Sequence, residues 1–119
     1  MADRLLFISW STPVHGMEER SLEVFNEALG FYGRLQQEGR IESMEVVLLA
    51  PNATLNGYIE LRGSAAQLAA AREDMVFRRL LVDAGMVVTD LRIADGFCNE
   101  GVAEAMGIFQ EAVAAVPQR

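Results

Sequence analysis

The 119-residue sequence is short of cysteine, histidine, positive charge and long apolar runs, and each shortage excludes something. A single cysteine, Cys98, rules out an internal disulfide and fits a reducing compartment. The single histidine, His15, stands far from it in the chain, so the two cannot make a zinc site of the usual Cys/His kind. Ten basic residues against seventeen acids give a net charge of −7. No basic stripe interrupts that balance, which repels phosphate backbones and argues against nucleic acid as a partner. No segment approaches the ~20 apolar residues needed to span a bilayer. Leu5–Ile8 is too short for the apolar region of a signal peptide, and Asp3 precedes it, so the expected location is the cytoplasm, with no membrane partner. Asn52-Ala53-Thr54 spells a glycosylation sequon, but without a secretory signal it reads as a turn. There is no GxGxxG, P-loop or GxSxG motif, and the acids lack the spacing of a calcium loop. Neither a cofactor nor a metal is expected.

What is present reads as one globular domain: 51% hydrophobic and 23% charged residues, with enough length to bury roughly two-thirds of the unfolded chain's surface. A first strand covers Arg4–Ser11 and breaks at Pro13 and Gly16. Ser21–Glu38 carries Phe25, Leu29, Tyr32 and Leu35 along one helical stripe, with Gly39 in the left-handed capping position. Gly30 and Gly33 inside that helix each cost about 1 kcal/mol against alanine, which suggests close packing on a sheet. Met44–Ala50 and Gly57–Arg62 form a strand pair around the Pro51–Asn56 turn. Ser64-Ala65-Ala66-Gln67 has the form of a capping box, and the helix it opens breaks at Glu73-Asp74. A second piece bears Phe77, Leu80, Leu81 and Ala84 and ends at Gly85; Met86–Ile93 follows as the fourth strand. Glu100–Val116 closes the chain as a helix with Val102, Met106, Phe109 and Val113 on one face. Strand, helix, strand, strand, helix, strand is the ferredoxin-like α+β topology: a four-stranded antiparallel sheet with both crossover helices on one side, here with a C-terminal helix added.

From Leu35 to Ile93 the layout resembles the dimeric α/β-barrel superfamily, in the segments LQQEGRIES, LLAPNATLNGYIELRG and SAAQLAAAREDMVFRRLLVDAG. The antibiotic-biosynthesis monooxygenases and the YCII-related proteins belong there. The resemblance implies a homodimer whose free sheet faces close over a cavity for a small organic molecule. It brings no catalytic residue with it. The first helix lacks the YCII-type histidine, and Asp74-Met75-Val76-Phe77 lacks the proline of the corresponding motif.

On the third strand, alternation sends Ile59 and Leu61 toward the helices and Tyr58, Glu60 and Arg62 to the free face. Arg92 goes to that face on the fourth strand. In the stretch FISWSTPVHG, Trp10 joins the free face in one register and lies under a helix in the other. His15 follows on a loop at the rim, with a side chain able to exchange protons near neutral pH. Trp10, His15, Tyr58, Glu60, Arg62 and Arg92 are the candidate ligand-binding set, in which Arg62 or Arg92 would neutralise an anion and Glu60 would be its partner or a base. The second reading is an enzyme: a cofactor-independent oxygenase acting on a small aromatic substrate. The last helix either covers a partner, closes one end of the cavity, or folds back over its own sheet.

Overall fold

In the computed structural model, which describes residues 1–117, the elements run β1 (Arg4–Trp10), α1 (Glu18–Gln37), β2 (Ser43–Leu48), β3 (Gly57–Gly63), α2 (Ala65–Glu73), α3 (Met75–Val87), β4 (Arg92–Phe97) and α4 (Glu100–Ala114). The strands form one sheet in the order β2-β3-β1-β4, and each neighbouring pair is antiparallel. This is the ferredoxin-like α+β arrangement read from the sequence. Helices α1, α2 and α3 share one face, and the core lies between them and the sheet: Leu6, Ile8, Ile59 and Leu61 meet Phe31, Tyr32, Leu35, Leu68, Phe77 and Leu80.

Local chemistry sets the helix ends. Glu18 and Glu19 place negative charge in the first turn of α1, where the helix dipole favours it. Gly39, at φ +71°, turns the chain out, and Arg40 N–H reaches back to the Leu35 carbonyl at 2.8 Å. The capping box forms as read: Gln67 N–H donates to Ser64 Oγ (3.1 Å) and Ser64 N–H to Gln67 Oε1 (2.8 Å). The break falls at Asp74, whose carboxylate accepts from Val76 N–H at 2.8 Å and caps α3. Arg40 pairs with the same carboxylate at 2.6 Å and, with that backbone bond, holds it below the usual carboxylate range.

Four readings need correction. Gly85 does not end α3; the helix continues because Val87 extends the buried series Phe77, Leu80 and is itself 2% exposed. The fourth strand is therefore Arg92–Phe97 rather than Met86–Ile93, entered through Asp90 at φ +51°. Gly30 and Gly33 do not pack closely on the sheet: a Cβ at Gly33 would meet nothing within 4 Å, and one at Gly30 only the end of Arg34. The last helix ends at Ala114, before Val116.

Candidate functional site

The two faces of the sheet now have definite owners. Met44, Leu6, Ile8, Trp10, Ile59, Leu61 and Ile93 belong to the helix side, as their packing shows. The strand register then sets the free face in rows: Ser43, Arg62, Leu5 and Gly96; Glu45, Glu60, Phe7 and Ala94; Val47, Tyr58, Ser9 and Arg92.

The six candidate residues do not gather in one place. Tyr58, Glu60, Arg62 and Arg92 share the free face. There the Tyr58 ring lies 4.9 Å from that of Phe7, and Arg62 Nη2 pairs with Glu60 at 3.1 Å. Arg92 has no acidic partner among the described residues. Trp10 takes the other side, under α1, edge-on to Phe25 with ring centroids 5.7 Å apart. His15 projects fully into solvent, 3.9 Å from Glu18.

Trp10 opens a part of the molecule that the sequence did not announce. Between α1, α3 and the sheet lies a cavity of about 210 Å³. Trp10, Phe25 and Tyr32 form its aromatic walls, Ala28 and Ala84 leave it room, and Leu22 and Leu48, both mostly exposed, stand at its mouth. Gly57 makes the indole's position possible, since a Cβ there would come within 2.5 Å of the Trp10 ring. The stretch after Trp10 builds the rim: Ser11 N–H donates to the Thr89 carbonyl, Asn56 Nδ2 to the Ser11 carbonyl, and Pro13 bridges to Val88. Thus FISWSTPVHG leaves the sheet at the edge of a cavity on the helix side.

The cavity's chemistry is narrow. Its lining holds no carboxylate, guanidinium or imidazole. Burial pushes the Tyr32 phenol well above its ordinary pKa, so at neutral pH it stays protonated and can donate a hydrogen bond but cannot take a proton. Neither the Trp10 indole N–H nor the Tyr32 hydroxyl has a hydrogen-bond partner among the described residues, and neither is sealed away from open space. The cavity could have been suspected from Ala28 and Ala84, small residues on otherwise large apolar stripes. Its walls come from five elements far apart in sequence, however, and no local pattern unites them.

Among the described residues no group of three or more His, Cys, Asp or Glu side chains could hold a metal ion, and no helix is long and apolar enough to cross a membrane. Cys98 is buried, with its thiol near the carbonyls of Ala2 and Arg4.

No family model and no curated protein matches the chain. Solved structures do match its fold. One is a dimeric protein of unknown function with a ferredoxin-like fold from Bacteroides fragilis, at 14% identity and TM-score 0.59, covering 80% of this chain and 96% of that one. Another is SnoaB, a cofactor-independent oxygenase from Streptomyces nogalater, at 18% identity and TM-score 0.51, covering 82% of this chain and 93% of that one.

Proposed function

We propose that this protein is a homodimer that binds a small, flat, mainly apolar molecule in the cavity between α1, α3 and the sheet. The observation that carries the reading is the cavity itself, with its aromatic walls. The space opens to solvent between Leu22 and Leu48 and reaches inward to the core residues Ile8, Tyr32 and Ile59, so a ligand can enter it and be largely covered. An apolar cavity of ~150 Å³ suffices for benzene, so about 210 Å³ suits a molecule of one or two rings. Trp10 and Tyr32 favour a ligand that offers a carbonyl or hydroxyl oxygen.

The dimer would bring two free sheet faces together. Phe7 and Tyr58 supply its apolar contact and the Glu60–Arg62 pair enters already neutralised, which limits the cost of removing those charges from water. The Bacteroides protein, described as dimeric, supports this reading through a shared fold. Tyr58, Glu60, Arg62 and Arg92 are thus assigned to the interface, with a second ligand surface there only if the faces leave a gap. We take the cytoplasm as the location, in keeping with a single buried thiol.

Binding is preferred to catalysis for a chemical reason. A cofactor-free reaction with oxygen starts from an electron-rich substrate anion, which requires a base at the bound substrate. The cavity lining supplies none. The oxygenase reading is kept alive by the SnoaB fold, and one experiment separates the two. The chain's one tryptophan reports on the cavity, so its emission is followed while 2-naphthol and small aromatic ketones are added, and oxygen consumption is measured in parallel. Saturable quenching without oxygen uptake supports binding. Turnover-linked uptake makes the protein an enzyme. No response from any compound at millimolar concentration, with no thermal shift, refutes the cavity as a ligand site.

A further inference from the structure

Helix α4 is turned the wrong way for a lone chain. At about 100° per residue, Val102, Met106 and Phe109 fall on one side, while Glu100, Glu104 and Glu111 fall within roughly 40° of one another on the opposite side. In a monomer the apolar side should meet the body. Instead Val102 and Met106 are each 48% exposed and Phe109 62%. No α4 side chain enters the core cluster, and Glu104 on the acidic side leans back toward Arg4, 3.8 Å away. The helix stands off the domain, and the radius of gyration is 16.6 Å where a compact chain of this length has about 13.5 Å.

The helix is nevertheless held at its base. Asn99, at φ +50°, donates through Nδ2 to the Ala2 carbonyl at 2.6 Å, and Cys98 N–H donates to the Asp3 carbonyl at 3.2 Å. Gly101 packs so closely on Asp3 that a Cβ there would collide with its carbonyl. An element that touches its own domain so little, yet is aimed by a fitted joint, is prepared for a surface outside the chain.

We propose that α4 is an arm that packs on a second copy of this chain, which covers the Val102/Met106/Phe109 seam. The inference deepens the dimer proposed above and rests on it. Charge selects the occupant: the arm carries three acids and no base, the opposite of helices that settle on anionic lipid. The spacing of four and three from Val102 to Phe109 is that of a seam made for protein side chains. A stable interface removes roughly 800 Å² from each partner, and Val102, Met106 and Phe109 add three exposed apolar side chains to what the sheet face can offer toward it. Continuity supports this as well, because α4 follows directly from β4, an edge strand of that same face.

The test uses the full chain carrying Met106→Glu and Phe109→Glu, exposed positions at which glutamate suits a helix, beside a Tyr58→Arg variant of the sheet face. Sedimentation velocity gives each dimer dissociation constant. The arm variant is expected to raise it about 30-fold or more, while 2-naphthol still quenches Trp10 as in the parent. Phe109→Leu should remain within a few-fold of the parent. An unchanged constant in the arm variant, with dissociation in Tyr58→Arg, overturns the arm and leaves the face-to-face dimer standing. A parent chain that sediments as a 13.1 kDa monomer at micromolar concentration overturns both. Co-sedimentation of the parent with phosphatidylglycerol vesicles, abolished in the arm variant, would make lipid the occupant and overturn the proposal.

Discussion

Filling the cavity tests whether its space is real and whether it is used. Ala28 packs against the core from α1 and borders the cavity. Ala28→Leu adds three carbon groups, each worth about 0.8 kcal/mol when buried. Ordering the leucine side chain costs about 0.5–1 kcal/mol, so the net stabilisation expected is about 1.5 kcal/mol. At this chain length that raises Tm by roughly 5–8 °C. Thermal unfolding followed by far-ultraviolet circular dichroism measures the gain, and quenching of Trp10 by 2-naphthol measures the site. Higher Tm with binding weakened at least tenfold is the expected pair of results. A loss of more than 1 kcal/mol would show that the space is already packed. Unchanged binding in a stabilised protein would place the ligand elsewhere.

Gly57→Ala should cost about 1–3 kcal/mol, because the new methyl displaces the rigid Trp10 ring, and Trp10 emission should shift in the folded state; an unchanged urea midpoint and spectrum would refute the contact. Gly33→Ala should stabilise by about 0.5–1 kcal/mol, since α1 has open space there, and a destabilised variant in urea unfolding would contradict that. Asp74→Ala should cost about 1 kcal/mol or more and Asp74→Asn less, because asparagine still caps α3. Arg40 lowers the folded-state pKa of Asp74 from 3.8, so the carboxylate's contribution is present at neutral pH and is lost as pH falls below that value. The stability difference between parent and Asp74→Asn should therefore shrink in acid; a constant difference from pH 7 to pH 2 would count against the pair.

The fold was legible because its signals are local and agree with one another. The helical stripes, Gly39 and the Ser64–Gln67 box each mark one element, and their order leaves few topologies. The face of Trp10 was not legible, because RLLFISW is apolar at both parities: Leu5 and Phe7 match Leu6 and Ile8. Phe25 and Gly57 settle the register, and both lie on other elements. The fourth strand was misplaced because Gly85 resembles a stop, whereas burial of Val87 against the core holds another half-turn in the helix. The Tyr58, Glu60 and Arg62 alternation was sound as geometry, since β3 reads GYIELRG with clean period two. What alternation along one strand cannot reveal is a cavity on the opposite side of the sheet.

The joint at the base of α4 also sets an order of events. Asn99 and Ala2 are 97 positions apart, so their bond closes nearly the whole chain into one loop. Contacts of that separation carry the largest closure entropy, so the joint is expected to form with or after the pairing of β1 and β4. Until β1 has paired with β4, the last helix has no fixed direction. A half-folded chain therefore carries an apolar seam that is not yet aimed, and a finished one carries a seam that is. In the dimer proposed above, Ala2 and Asp3 would then act as a latch on assembly: loosening either would delay association while every residue of the seam remained in place.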